Sequence, residues 1–139
     1  MGLRGDAILQ FDDTVGKILA ALHQLGIADN TLIILSSDNG PVLDDGYDDQ
    51  AEVLAGTHRP GGNLRGGKYS AFEAGSRIPF IVSWPAGGVP QGQRSDALIS
   101  QIDAVRSLAA VIGQPLPTDA APDSRDAHAV WLGQSSQSR

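Results

Sequence analysis

Thr31-Leu32-Ile33-Ile34-Leu35-Ser36-Ser37-Asp38-Asn39-Gly40-Pro41 joins an unbroken apolar run to a polar turn. The run is short, rich in β-branched residues and does not alternate, which is the pattern of a strand buried on both faces of a parallel sheet. In open α/β sheets ligand sites form beyond the carboxyl ends of such strands, so Asp38 and Asn39 fall where a site would form. A carboxylate beside an amide oxygen suits a hard cation such as Ca²⁺ or Mg²⁺. Two donors do not complete a coordination sphere, however, and Asp-Asn-Gly is also ordinary turn chemistry.

Upstream of the strand, Ile8, Phe11, Val15, Ile18, Leu19, Leu22 and Leu25 recur at three- and four-residue steps. That spacing predicts a helix from about Asp6 to Leu25 with one apolar face, closed by Gly26 as its C′ residue. A helix leading into a buried strand indicates an α/β layered fold.

Downstream, the chain from Asp38 to about Lys68 is rich in Gly, Asp and Pro and has no period, and unstructured stretches of about thirty residues are usually functional loops or disordered. Within it, Asp44-Asp45-Gly46-Tyr47-Asp48-Asp49 lacks the EF-hand spacing and reads as a solvated loop insertion. A second strand is predicted at Ile78–Trp84, with Pro79 tolerated at its start. Ala97–Ile99 reads as a brief third strand. Asp103 is placed to N-cap a helix running to about Ile112, which Gly113 and Pro115 end. Beyond Pro117 only Val130-Trp131-Leu132 offers an apolar segment to dock. Residues 1–133 are expected to be the folded part and residues 134–139 a disordered tail.

Composition narrows the function. Sixteen acidic and ten basic residues give a net charge of −6, the wrong sign for tracking a phosphate backbone, so a nucleic-acid partner is not expected. The absence of cysteine removes disulfides, thiolate metal sites and a cysteine nucleophile. No apolar run approaches the roughly 20 residues that span a bilayer, so no membrane partner is expected either. Residues 1–6 hold no apolar stretch of the kind a secretory signal carries, and the compartment stays open.

A second polar constellation is Leu64-Arg65-Gly66-Gly67-Lys68, followed by Glu73, Ala74, Gly75, Ser76 and Arg77. Paired glycines let a backbone approach a ligand closely, and a lysine beyond them can place a point charge on an oxyanion. The spacing is not that of a phosphate-binding loop. Glu73 and Arg77 read as a structural charge pair, and His23, His58 and His128 as a helix-surface, a loop and a tail residue.

Taken in order, the motifs are more specific. Gly2-Leu3-Arg4-Gly5-Asp6, Asp13-x-Val15-Gly16-x-Ile18-Leu19, Leu25-Gly26-x-Ala28-Asp29-Asn30-Thr31-Leu32, Ser37-Asp38-Asn39-Gly40-Pro41, Leu64-Arg65-Gly66-Gly67-Lys68, Glu73-x-Gly75-x-Arg77-x-Pro79 and Trp84-Pro85 succeed one another as they do in type I sulfatases of the arylsulfatase A kind. The chain resembles the C-terminal third of that family.

The resemblance implies a partial α/β/α sandwich of the alkaline phosphatase-like type. It implies that Asp38 and Asn39 are two ligands of an active-site Ca²⁺, with Mg²⁺ as the alternative, and that Lys68 binds the oxygens of a sulfate ester substrate. His58, in the loop near that site, is a candidate substrate contact. Members of the family attack with a formylglycine made from Cys or Ser in Cys/Ser-x-Pro/Ala-x-Arg. This chain has no such motif and is expected to be inactive alone, as a C-terminal fragment. Two other readings stay open: a phosphatase or phosphodiesterase relative of the same superfamily, and a noncatalytic cation- and anion-binding domain. Exposed sheet edges would favour self-association.

Overall fold

The computed structural model describes residues 2–139. The chain divides into two compact units, one comprising the chain up to Ala28 together with Ile34–Ile81, the other Asp29–Ile33 together with Val82–Arg139. Strands β1 (Ile33–Ser36) and β2 (Phe80–Ser83) pair in a two-stranded sheet. With its helices, the chain is α/β, as its sequence predicts.

Helix α1 runs Gly2–Gln24, four residues earlier than the apolar period alone places its start. Two tertiary contacts account for the added turn. A Cβ at Gly2 would meet the Leu54 side chain at 2.4 Å, and Arg4 is gripped by the loop after β1. The far end follows the sequence reading: Gly26 takes φ +68°, its N–H bonds to the carbonyl of His23, and the Ile27 N–H bonds to that of Leu22, both at 3.0 Å. Those two bonds are the Schellman closure of a helix. The apolar stripe of α1 is present, yet no side chain of this helix is buried.

The stretch expected to lack secondary structure contains a short helix, α2 (Ala51–Ala55), whose first N–H, that of Ala51, is accepted by Asp49 Oδ1 at 3.0 Å. Helix α3 (Glu73–Ser76) follows. Ala74 lies within it, does not take positive φ, and is 1% exposed, so it is a packing residue. Arg77 pairs with Glu73 one helical turn away at 2.5 Å, the charge pair read from the sequence.

In the second unit, α4 (Ala104–Val111) and α5 (His128–Trp131) pack together, with Ala109, Trp131 and Leu132 buried. Asp103 precedes α4 but does not cap it. Its carboxylate instead accepts the N–H of Ser100 at 3.2 Å, the N–H of Arg125 at 2.9 Å and Nε of Arg139 at 3.1 Å. Ser107 Oγ accepts the Ala127 N–H at 2.8 Å, and Arg106 donates to the carbonyls of Ala120 and Ala121. Polar side chains of α4 therefore hold residues 120–127, a stretch with no apolar pattern to announce its docking. Ala97–Ile99 is not a strand: the N–H of Leu98 goes to Ser138 Oγ, and its carbonyl accepts the Arg139 N–H. Residues 134–139 carry no regular structure beyond that, while Arg139 reaches Asp103 and the Asp123 carbonyl.

Among the described residues only four apolar side chains are buried (Ala74, Ala109, Trp131 and Leu132), against nineteen large ones that are exposed. A two-stranded sheet is marginal on its own. The polar anchors just described thus carry an unusual share of the structure.

Asp103 gives a direct test. Burial opposes its charge, but the bonds from Arg125, Arg139 and Ser100 outweigh burial and hold the carboxyl below its ordinary 3.8. A depressed folded value contributes stability that is complete above the unfolded value and lost as pH falls through the folded one. We expect Asp103→Asn to lower stability at neutral pH by about 2 kcal/mol. Thermal unfolding between pH 7 and pH 2 should show a smaller loss of Tm below pH 4 in the variant than in the parent chain.

Candidate functional site

The turn after β1 is built from its own polar groups. Ser36 Oγ donates to the Pro79 carbonyl at 2.8 Å, fastening the end of β1 to the residue before β2. Ser37 Oγ donates to the Asn39 carbonyl at 3.0 Å, Asp38 Oδ1 accepts the Asn39 N–H at 3.0 Å, and Asn39 Nδ2 donates to the Gly40 carbonyl at 2.8 Å. Asp38 is exposed, Asn39 half-buried and Gly40 buried. The local bonds are those of an Asx turn, and they leave the second carboxylate oxygen of Asp38 outside the turn's hydrogen bonds.

Glycines bring the second constellation to this turn. The Gly40 N–H bonds to the Gly75 carbonyl at 2.9 Å, and the Lys68 N–H to the Pro41 carbonyl at 2.8 Å. A Cβ at Gly40 would lie 1.7 Å from the Ala74 carbonyl oxygen, and one at Gly67 would lie 2.6 Å from that of Pro41. One at Gly75 would lie 2.4 Å from the Ser70 carbonyl oxygen. The three positions need glycine because backbone touches backbone there, where the sequence suggested an approach to ligand. Ser70 closes the turn: its hydroxyl donates to the Gly67 carbonyl at 2.8 Å and accepts the Gly67 N–H at 3.2 Å.

Lys68 is half-buried, with its ammonium 5.4 Å from the centre of the Tyr69 ring, and Arg65 lies over Phe72 at 3.8 Å. Tyr69 holds φ +72°, a strained backbone for a non-glycine residue immediately after Lys68. The structure therefore brings Asp38, Asn39 and Lys68 into one backbone-bonded assembly inside a single unit. His58 is not part of it. It is exposed after α2, its N–H bonded to the Ala55 carbonyl at 2.8 Å.

Asp38 and Asn39 offer the hard oxygen donors that Ca²⁺ or Mg²⁺ requires, which fits such an ion in kind. Among the described residues no three His, Cys, Asp or Glu side chains come together as a metal-binding group, so Asp38 and Asn39 do not by themselves make a coordination sphere. A groove of about 650 Å³ in the second unit, lined by Val82, Arg94, Asp96, Gln134 and Ser135 among others, includes none of the predicted site residues.

One group of residues beside the turn escaped the sequence reading. Arg4 donates from Nε to Asp49 at 2.5 Å, from one terminal nitrogen to Asp45 at 2.7 Å and from the other to the Val42 carbonyl. The side chains of Asp45 and Asp49 are only 16% and 14% exposed, which corrects the reading of a solvated insertion for these two, while Asp44, Gly46, Tyr47 and Asp48 are exposed as expected. The hydrogen bond from Arg4 is the main influence on Asp49 and lowers its pKa, and Asp49 in turn raises that of Arg4. Forty-five residues separate Arg4 from Asp49, so no local pattern could have paired them.

Comparison with known proteins bears on what this assembly belongs to. The family model for sulfatases matches residues 1–114. The chain is 56% identical over 139 residues to an N-acetylgalactosamine-6-O-sulfatase of Bacteroides thetaiotaomicron, covering all of this chain and 27% of that protein. It is 35% identical over 137 residues to human steryl-sulfatase, covering 99% of this chain and 23% of that one. A solved structure from glycosaminoglycan metabolism in Bacteroides thetaiotaomicron superposes with a TM-score of 0.93 at 55% identity, covering 99% of this chain and 28% of that one. Another, of Ps i-CgsB in complex with a neocarrahexaose, gives 0.71 at 30% identity, covering 89% and 25%. The chain spans about a quarter of the length of these relatives.

Two measurements check the geometry. Gly40→Ala should destabilise the chain by about 3 kcal/mol, since the added methyl must displace the α3 backbone. Gly16→Ala, in the middle of α1 with nothing within 4 Å of the new methyl, should stabilise it by about 0.5–1 kcal/mol. Equal effects in urea unfolding would contradict the close backbone contact. Separately, Arg4→Ala should speed amide exchange and proteolysis across residues 42–50 while leaving residues 104–111 unchanged. Because Asp49 has a depressed pKa, the same loosening should appear in the parent chain only as pH falls below the ordinary carboxylate value of 3.8.

Proposed function

The chain belongs to the sulfatase family, and from that premise we propose that it supplies part of the active site of a sulfuric ester hydrolase, as a C-terminal portion of the domain. What supports the reading is the pair of backbone bonds, Gly40 to Gly75 and Lys68 to Pro41, that ties a Ca²⁺-type donor pair to a lysine. In this proposal Asp38 and Asn39 hold a divalent cation, Ca²⁺ or Mg²⁺, and Lys68 binds the nonbridging oxygens of the sulfate group. His58 contacts the substrate from the exposed loop after α2.

A sulfate ester accumulates charge on its leaving and nonbridging oxygens as the S–O bond breaks. Fixed positive groups aimed at those oxygens lower the barrier, because they are ordered before the reaction begins. Lys68 is suited to this as a point charge on a backbone that glycine contacts hold in place. Asp38 and Asn39 orient the cation, which when bound supplies further positive charge to the same oxygens. No residue in these 139 provides the formylglycine nucleophile, so the chain alone is expected to release no sulfate. The name of the 56% identical relative places a 6-O-sulfated N-acetylgalactosamine first among the esters to assay.

The test uses a single polypeptide in which this chain replaces the matching segment of that relative. It should hydrolyse the sulfate ester in preference to the corresponding phosphate monoester. Lys68→Ala should lower kcat/KM about 100-fold, and removal of divalent cations should abolish turnover. Preference for the phosphate ester, or an unchanged kcat/KM in the lysine variant, would sink the assignment.

A further inference from the structure

Lys68 and Tyr69 occupy the two corners of a tight turn. The Ser70 N–H bonds to the Gly67 carbonyl at 3.1 Å, and the Ser70 hydroxyl closes the same turn a second time through both backbone groups of Gly67. Tyr69, at the second corner, takes φ +72°, whereas Lys68, at the first, is not among the residues of positive φ. That combination is the type II pattern, whose second corner favours glycine or asparagine because a Cβ crowds the backbone there. A tyrosine in this position is strained.

Strain of this kind persists only where something in the structure holds it, and burial of the ring does not. Tyr69 is 79% exposed, and a glycine would complete the turn without strain. What the ring approaches is the side chain before it: the Lys68 ammonium lies 5.4 Å from the ring centre. Attraction between a cation and the electron-rich face of an aromatic ring acts within about 6 Å. Among the described residues no carboxylate or carbonyl partners that ammonium, which leaves the ring as the group that faces it.

The two ends of Lys68 are thus held by different means. Its N–H bonds to the Pro41 carbonyl at 2.8 Å, which ties its backbone to the turn of Asp38 and Asn39. A flexible stem separates that anchor from the charge, and a bond at the backbone does not aim the far end. The other aromatic contact of this loop serves the loop itself: Arg65 lies 3.8 Å over the Phe72 ring, joining residues that flank the turn. Tyr69 is the aromatic residue that acts on the charge.

We infer that Tyr69 is a positioning residue for Lys68. Its left-handed backbone sets the ring beside the ammonium, and the ring restrains the ammonium before a sulfate ester arrives. Charge that is already ordered lowers a barrier more than mobile charge, because its ordering is not part of the reaction. The inference rests on the reading of Lys68 as the sulfate-binding residue, and it can fail while that reading stands.

The test uses the single polypeptide described above, with the 6-O-sulfated sugar as substrate. Tyr69→Leu keeps an apolar side chain but removes the aromatic face, and should lower kcat/KM about 5-fold. Tyr69→Phe should restore the parent value. Phenylalanines of increasing fluorination at position 69, which draw electron density from the face while keeping its shape, should lower kcat/KM stepwise at constant Tm. Tyr69→Gly should raise Tm, because the turn loses its strain, and still lower kcat/KM as Tyr69→Leu does. A residue that served only the fold would move both in the same direction.

In a Lys68→Ala background Tyr69→Leu should have no further effect, since the ring acts through the ammonium. A further loss of about 5-fold there would show the ring acting on the sugar directly and would overturn the inference. So would full activity of Tyr69→Leu beside an impaired Lys68→Ala, a result that leaves the functional reading intact. Full activity of Lys68→Ala itself would overturn both.

Discussion

The contact between the backbones of residues 40–41 and 67–75 is the constraint on which the candidate site depends. A glycine stands at each point of contact between the two segments, Gly40 against the Ala74 carbonyl and Gly67 against that of Pro41, while Gly75 lets the 67–75 turn close on Gly67 and Ser70. With side chains removed, main-chain groups bond directly across the gap. The result ties the turn that carries Asp38 and Asn39 to the segment that carries Lys68. A functional site needs its supports held more firmly than flexible side chains can manage, and backbone contact provides this.

Electrostatics complete the arrangement. Arg4 is planar and presents several donors, so it can satisfy two carboxylates and a carbonyl at once, which a lysine could not do with the same geometry. It binds the carbonyl of Val42, the residue next to Pro41, whose own carbonyl holds Lys68. One cation thus secures the segment that also anchors the other. In the second unit Asp103 plays the reverse part, a single buried carboxylate gathering three donors from residues 100, 125 and 139.

Much of this was legible in the sequence, and what was not has a physical reason. The periodicity of α1, its glycine closure, both strands, the Glu73–Arg77 pair and the α/β class follow from local pattern and turn chemistry. Asp38, Asn39 and Lys68 were identifiable as chemically suited residues, but their union depends on backbone bonds between residues some 27 to 35 positions apart, Lys68 to Pro41 and Gly40 to Gly75, which periodicity does not encode. The Arg4 clamp, the polar anchoring of residues 120–127 and the role of Asp103 as a hub instead of a cap are long-range and polar, and single-sequence reasoning follows apolar periods. The third strand at Ala97–Ile99 failed for a related reason: its backbone bonds went to Ser138 and Arg139, far along the chain.

The Arg4 clamp also bears on the order in which the unit assembles. Helix α1 and its glycine closure use only contacts between neighbours in sequence, and such elements form within about a microsecond. Joining Arg4 to Asp49 closes a loop of 45 residues, which demands a search whose entropy cost grows with length. Closing that loop draws the acidic loop, and the segment next to the turn bearing Asp38, onto the first turn of α1.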